Sequence, residues 1–155
     1  MLYLGVDVGT SSMKATVLNE EGRIIVKKIV PCELLNPKPG FFEVNANKSW
    51  KEGFIKICEY IGKEISLQDI HSICISSVCG SFIPVDEQLN PLYNAILYGI
   101  DSRAIKQIDR LNKMYDKKYL IDLLGGVFTT HSLLPKFLWL KENKPEVWER
   151  TSLFL

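Results

Sequence analysis

The sequence predicts a mixed α/β fold, because three strands, a helix and a further strand follow one another along its first half. Residues 2–8, 13–18 and 23–30 are strand-like and joined by short turns, which predicts an antiparallel meander. Apolar residues then recur at helical spacing through residues 50–61. The apolar, β-branched run 70–78 is typical of a buried parallel strand. This order fits the mixed sheet of a ribonuclease-H-like α/β domain with flanking helices.

Turn and cap residues separate these elements. Residues 9–12 and 19–22 form the turns of the meander, and the second turn contains a glycine suited to positive φ. Residues 31–42 hold three of the seven prolines and are predicted to be an extended loop. Asn45 or Asn47 is expected to cap the helix that follows.

The second half of the chain is predicted to be mostly helical. A short strand is expected at residues 81–85, and residues 94–100 form another short apolar segment. Beyond them the apolar spacing is helical in three successive segments. Glycines 125–126 end the second helix, and the third stops before Pro145. Residues 151–155 are apolar and are typical of the start of a strand.

Length and charge restrict the class of protein. A chain of 155 residues has the length of one ordinary domain, with 46% hydrophobic and 24% charged residues. Nineteen Lys and Arg against eighteen Asp and Glu leave a formal charge of +1, which argues against nucleic acid as a partner because a polyanion needs a concentrated basic face. No apolar run approaches the ~18 residues of a membrane span, and the N-terminus carries no basic leader. We therefore expect a cytoplasmic protein with no membrane partner.

The four cysteines form no metal-binding pattern. No C-x-x-C pair occurs, and only two histidines are available as further ligands, so a structural zinc site is not expected. Cys58 and Cys74 lie among apolar residues and are predicted to be buried free thiols.

The segment 5–14, Gly-Val-Asp-Val-Gly-Thr-Ser-Ser-Met-Lys, carries the clearest chemistry. It matches neither of the glycine-rich phosphate motifs that precede a helix. Asp7 ends a strand, Gly9 lets the backbone bend, and residues 10–12 offer hydroxyls and N–H groups suited to a phosphate oxygen. A carboxylate beside that turn can hold Mg²⁺ through water. The alternative is a plain hairpin turn in which Asp7 caps backbone N–H groups.

These residues resemble the first phosphate motif, D-x-G-T-S-S-x-K, of the superfamily of sugar kinases, actin and the 70-kDa heat-shock proteins. Other segments narrow the resemblance to the FGGY carbohydrate kinases, and their order along the chain is that of the family. The segments are Gly40-Phe41-Phe42-Glu43 with Trp50, Ile75-Ser76-Ser77, Val85-Asp86, Pro91-Leu92, residues 94–103, and residues 136–143 with Pro145-Glu146.

The resemblance implies a reaction and its cofactors. FGGY kinases transfer the γ-phosphoryl group of ATP, with Mg²⁺, to a hydroxyl of a sugar or polyol, and the segment 94–103 favours a ketose such as xylulose. Asp7 matches the family's metal-linked aspartate, and the turn of Gly9, Thr10, Ser11 and Ser12 matches its phosphate-facing turn. Lys14 matches a basic residue of the family, although a solvated strand lysine explains it equally well.

The resemblance also implies a set of sugar-facing residues. Cys79 and Gly80 stand where many members carry a pair of large polar side chains, so this sequence departs from the family pattern there. Either the pocket is wider, or Ser81 and backbone groups take over these contacts. Tyr98 matches a tryptophan whose ring packs on the sugar. The set further includes Asp101, Arg103 and His131. The alternatives are core packing for Cys79, a helix N-cap with its ion pair for Asp101 and Arg103, and an exposed loop position for His131.

The family's general base lies downstream of the matched segments. We therefore expect no catalytic residue within 1–155, a general base beyond Leu155, and a C-terminal nucleotide-binding domain that this chain lacks. On this reading residues 1–155 are an incomplete N-terminal sugar-kinase domain, inactive alone. Two alternatives stay open: a non-catalytic sugar-binding or regulatory remnant, and an actin-like or chaperone ATPase. The sequence does not fix the oligomeric state and leaves a homodimer open.

Overall fold

The computed structural model describes all 155 residues, which divide into two compact units. Unit 1 comprises Met1–Leu34 and Val44–Val78, and unit 2 comprises Leu35–Glu43 and Cys79–Leu155. The strands are β1 (Leu2–Val8), β2 (Ser12–Asn19), β3 (Ile24–Pro31), β4 (Leu34–Leu35), β5 (Glu43–Val44), β6 (Ile70–Ser77), β7 (Pro84–Val85), β8 (Ala95–Ile96) and β9 (Leu153–Phe154). The helices are α1 (Glu52–Glu64), α2 (Ile105–Met114), α3 (Lys117–Leu124), α4 (Leu133–Asn143) and α5 (Pro145–Arg150).

Unit 1 is built on a four-stranded mixed sheet in the order β3-β2-β1-β6. Strands β1, β2 and β3 pair antiparallel, and β6 pairs parallel with β1. The predicted meander and parallel strand are therefore confirmed. The turn between β2 and β3 contains Gly22 at a φ of +73°, as its sequence predicts.

The core of unit 1 lies between one face of this sheet and α1. Alternate strand residues such as Leu4, Val6 and Val17 are buried together with Ile57 and Ile61 of α1. A π-helical turn, Ala46–Lys51, leads into α1. Asn45 caps that turn through a bond from the Lys48 N–H to its side chain, so the structure selects Asn45 from the two predicted caps.

Strand β6 corrects one prediction. Its parallel pairing is as expected, but seven of its eight residues are exposed, including Ile73 at 54% and Ile75 at 62%. The reason is that α1 packs mainly against β3, at the opposite edge of the sheet, and leaves most of β6 uncovered. Cys74 is consequently exposed rather than buried, and Cys58 on α1 is half-buried.

Unit 2 contains helices α2 to α5 and short strands. β7 covers Pro84–Val85 of the predicted strand 81–85, and β8 covers Ala95–Ile96 within the apolar segment 94–100. Strand β9 pairs antiparallel with β7. The three predicted helices are present, and Gly125 ends α3 in the left-handed conformation.

Helix α5 was not predicted. Pro145 stops α4 in the sequence pattern, but proline also suits the first turn of a helix, and here it begins α5. Aromatic and aliphatic side chains from α4 and α5 form the main core of unit 2 around Phe82, Trp139 and Leu140. Measured by length and apolar character together, none of the helices could span a membrane.

Candidate functional site

The predicted phosphate-facing residues all lie in unit 1, at the turn between β1 and β2. The turn is closed by the Gly9 N–H, which donates to the Ser12 carbonyl at 3.0 Å. A second bond, from the Cys32 N–H to the Ser11 carbonyl at 2.9 Å, ties the turn to the end of β3. A Cβ on Gly9 would lie only 3.0 Å from the Ser12 oxygen, so this tight turn favours glycine.

Asp7 lies beside this turn with its side chain 52% exposed. Ser76 Oγ on β6 donates to Asp7 Oδ1 at 2.9 Å, and Lys14 Nζ on β2 lies 3.8 Å from Asp7 Oδ2. The hairpin alternative expects Asp7 to accept backbone N–H groups, whereas its hydrogen bond here comes from the Ser76 hydroxyl. Sequence reasoning missed Ser76, although a parallel strand beside β1 places a residue of β6 opposite Asp7.

The groups at this turn fit a hydrated divalent cation and a phosphate. The hydroxyls of Thr10, Ser11 and Ser12 make no hydrogen bond within the protein and remain available to a ligand. Asp7 offers oxygen, the ligand atom that Mg²⁺ prefers, but one carboxylate fills only part of an octahedral shell, so waters and phosphate oxygens would supply the rest. The Lys14 side chain is 58% exposed, and an ion pair between side chains this exposed holds the Lys14 ammonium only weakly.

The predicted sugar-facing residues lie in unit 2, and several of them gather around Tyr98. The Tyr98 N–H donates to Ser81 Oγ at 3.0 Å. The Tyr98 ring meets the His131 ring edge-on, with centroids 4.5 Å apart and planes at 73°. Tyr98 is 38% exposed and His131 is also exposed, so both rings present a free surface to a ligand.

Two glycines make this arrangement sterically feasible. Gly80 has a φ of +82°, and a Cβ there would lie 2.5 Å from Cδ2 of Tyr98. Gly99 has a φ of +72°, and a Cβ there would lie 3.0 Å from Cε1 of His131. Cys79, next to Gly80, is exposed, so the alternative that it packs in a core is wrong.

Asp101 and Arg103 lie inside unit 2 rather than at its surface. Arg103 Nε donates to both Asp101 oxygens at 2.9 and 3.0 Å, and Arg103 Nη2 donates to Oδ2 at 2.8 Å. The Phe42 N–H also donates to Asp101 Oδ2, at 2.6 Å. Asp101 has no exposed surface. These contacts match the ion-pair alternative, although Ala104 rather than Asp101 is the N-cap of α2.

The same guanidinium contacts a second buried carboxylate, Glu43. Arg103 Nη1 lies 2.9 Å from Glu43 Oε1, an ion-pair contact without hydrogen-bond geometry. Tyr93 Oη donates to Glu43 Oε1 at 3.0 Å, and Asn94 Nδ2 donates to Oε2 at 2.9 Å. Burial, followed by the charge of Glu43, raises the pKa of Tyr93. The guanidinium carbon also lies 4.4 Å from the centre of the Phe41 ring.

Lys136 on α4 is another buried charge that sequence reasoning left without a role. It is 1% exposed, and its Nζ donates to the Leu97 carbonyl at 2.6 Å. Burial lowers the pKa of Lys136 from its ordinary 10.5 to about 8. The negative charge of Asp101 raises this pKa, and the positive charge of Arg103 lowers it further. A lone charged residue in the apolar run 133–140 was the available signal.

The lowered pKa of Lys136 predicts how stability depends on pH. Between pH 8 and 10.5 the unfolded chain keeps a proton on Lys136 that the folded chain has lost, so the free energy of unfolding rises with pH, by up to about 3 kcal/mol. Urea denaturation across this range measures the rise, and Lys136→Met should lack it. The parent and Lys136→Met contain the same thiols and tyrosines, so the difference between their two pH curves is due to Lys136. Parallel curves for the two chains would contradict the assignment.

Comparisons with known proteins identify the family of the chain. A family model described as the FGGY family of carbohydrate kinases, N-terminal domain, matches residues 2–155. Xylulose kinase of Lactococcus lactis subsp. lactis (strain IL1403) is 32% identical over 149 residues, which are 95% of this chain and 29% of that protein. The FGGY carbohydrate kinase domain-containing protein of Homo sapiens is 27% identical over 161 residues, covering 98% of this chain and 28% of that protein.

Solved structures show the same fold. The crystal structure of xylulose kinase from Rhodospirillum rubrum superposes with a TM-score of 0.90 at 18% identity, over 99% of this chain and 32% of that one. This likeness confirms the predicted ribonuclease-H-like fold. The chain spans less than a third of the length of each of these three relatives. Because the family model matches nearly the whole of this chain, the chain belongs to the FGGY family of carbohydrate kinases.

Proposed function

We propose that this chain is the N-terminal part of an ATP-dependent carbohydrate kinase that phosphorylates a hydroxyl of a sugar or polyol, most specifically of a ketose such as xylulose. The observation that carries the proposal is the exposed Asp7 carboxylate beside the unbonded hydroxyls of residues 10–12, in a chain of a carbohydrate-kinase family. The names of several curated relatives, which are xylulose kinases, support the ketose.

In this proposal the turn of unit 1 contacts the phosphates and their metal ion. Backbone and hydroxyl groups of residues 9–12 and the Lys14 ammonium neutralise and orient the transferred phosphoryl group. Asp7 would hold Mg²⁺ through water, and the Ser76 hydroxyl fixes the carboxylate. Mg²⁺ supplies charge neutralisation when bound, and phosphoryl transfer depends chiefly on such positioning and neutralisation.

The sugar pocket in this proposal is formed by the cluster around Tyr98. The Tyr98 ring packs against the apolar face of the sugar, while its hydroxyl, His131 and backbone groups at residues 79–81 meet the sugar hydroxyls. Asp101 has no free surface, so we assign Asp101 and Arg103 a supporting role: they hold the Phe42 backbone and the Glu43 side chain.

The proposal places the general base beyond Leu155, together with a C-terminal nucleotide-binding domain as the partner of this chain. The 155-residue chain alone is then expected to bind sugar without turning it over. The proposal includes a cytoplasmic location, since the reaction consumes ATP. It does not require a homodimer.

Reading the gene beyond codon 155 and assaying the encoded protein tests this proposal. We expect D-xylulose-dependent release of ADP by the encoded protein and none by residues 1–155 alone. Asp7→Asn should lower turnover of the encoded protein by roughly 10²–10³-fold, because it removes one preorganised charge from the phosphoryl-transfer site. Glu21→Gln, in the exposed turn after β2, is the matched control and should leave turnover unchanged. ADP release by residues 1–155 alone would show that the base lies within them.

A second candidate is a non-catalytic sugar-binding or regulatory remnant. It is favoured by one observation: the cluster of Gly80, Ser81, Tyr98 and His131 lies wholly within unit 2 and needs no phosphate turn. This candidate predicts a stop codon after Leu155 and sugar binding that nucleotide does not affect. Isothermal titration of residues 1–155 with D-xylulose, with and without ATP, measures the second property.

A further inference from the structure

Lys136 is a charged residue with almost no exposed surface, and the proposed phosphoryl transfer does not use it. We propose that Lys136 is a positioning residue that sets the geometry of the Tyr98–His131 pair. Its ammonium group does so by binding the Leu97 carbonyl. The role in sugar binding rests on the proposed function above, whereas the role in ordering the two rings does not.

The first part of the argument concerns the segment that carries Tyr98. Leu97, the preceding residue, is held on both of its backbone groups: its N–H donates to the Phe42 carbonyl at 3.1 Å, and its carbonyl accepts from Lys136 Nζ at 2.6 Å. The Phe42 N–H in turn donates to Asp101 Oδ2 at 2.6 Å. A continuous path of hydrogen bonds therefore has a carboxylate at one end and the Lys136 ammonium at the other.

The second part concerns the segment that carries His131. Lys136 lies in the first turns of α4, and His131 precedes that helix by two residues. His131 and Ser132 are tied to their own loop: the Ser132 N–H donates to the Thr129 carbonyl at 3.0 Å, and the His131 N–H donates to Thr129 Oγ1 at 3.2 Å. The bond from Lys136 to Leu97 thus connects the helix behind His131 to the backbone beside Tyr98.

Packing alone does not explain a lysine at this position. A methionine has similar length and would fill the same space without the cost of removing an ammonium group from water. Asp101 attracts the ammonium and Arg103 repels it, so the local charges compensate that cost only in part. What the lysine adds is a strong, charge-assisted hydrogen bond to one backbone carbonyl.

Two substitutions on the same helix test the proposal. Lys136→Met removes the donor, and Lys141→Met removes an exposed lysine from α4 as the matched control. We expect Lys136→Met to move the chemical shift of the His131 Cε1 proton towards that of a histidine without an aromatic neighbour. We also expect D-xylulose to bind at least tenfold more weakly. Lys141→Met should change neither property.

The outcomes separate this proposal from the proposed function. A folded Lys136→Met chain whose His131 resonance matches that of the parent overturns the positioning role, whatever the sugar does. If the parent chain binds no D-xylulose but Lys136→Met moves the His131 resonance, the positioning role stands and the sugar-binding proposal fails for this chain.

A measurement without substitution applies if Lys136→Met does not fold. If the Lys136–Leu97 bond holds the ring pair in place, a sugar that moves the pair also changes the surroundings of Lys136. In lysine-labelled chain, the Cε resonance of Lys136 should shift with the same D-xylulose midpoint as His131, while that of Lys141 stays in place. A sugar-induced shift of His131 with an unmoved Lys136 resonance would overturn the proposal.

Discussion

Gly80→Ala is expected to weaken D-xylulose binding at least tenfold and to destabilise unit 2. The new Cβ would lie 2.5 Å from Cδ2 of Tyr98, so the ring has to leave its place against His131. The positive φ of +82° adds the backbone cost of a non-glycine residue in the left-handed region, about 1–2 kcal/mol. Isothermal titration and urea denaturation measure the two effects.

Gly125→Ala is the matched control for this prediction. Gly125 has a similar φ of +75°, but a Cβ there would meet nothing within 4 Å. Gly125→Ala should therefore show the backbone cost alone and bind the sugar like the parent. Equal sugar affinities for the two variants would show that the position of the Tyr98 ring does not matter for binding.

Arg103→Met is expected to lower the free energy of unfolding by about 3–5 kcal/mol, because it leaves buried carboxylates without their counter-charge. Asp101 is 0% exposed and Glu43 is 3% exposed, and both contact this guanidinium. The side chain also lies over the Phe41 and Trp139 rings, so the loss includes packing. Urea denaturation followed by circular dichroism and by tryptophan fluorescence measures the change.

Arg110→Met supplies the comparison. Arg110 also pairs with a carboxylate, Glu142, but its side chain is 49% exposed. Exposed pairs contribute little, so we expect a loss within about 1 kcal/mol. A similar loss for both arginines would mean that burial of the Asp101–Arg103–Glu43 group does not determine its contribution to stability.

Local pattern was sufficient for much of the fold. Alternation and turn residues predict the meander, and helical spacing predicts α1, α2, α3 and α4, because these features are set by neighbours in sequence. The burial of β6 was not predictable in this way. Apolar residues such as Ile73 and Ile75 are typical of a buried strand, but the sequence does not tell which segment would cover them. In the structure both side chains are exposed. Helix α5 was missed because proline both ends and begins helices.

The same distinction between local sequence and tertiary packing applies to the candidate site. The motif residues Asp7 and Gly9 and the pair of Tyr98 and His131 were named from the sequence, since the family motifs carry them. The partner of Asp7 on β6, and the burial of Lys136, depend on which segments meet in three dimensions. Short motifs therefore identify which residues to examine, whereas their exposure and partners come from the fold.

The short strand β9 affects when unit 2 can fold during synthesis. Unit 1 is complete once Val78 has left the ribosome, since both of its segments precede that residue. Unit 2 has to wait for Phe154, which pairs with Pro84, and for Leu155, which exchanges two backbone hydrogen bonds with Ile83. Domains fold as units as the chain emerges. We therefore expect unit 1 to form first on the ribosome, with the turn between β1 and β2 in place before β9 is translated.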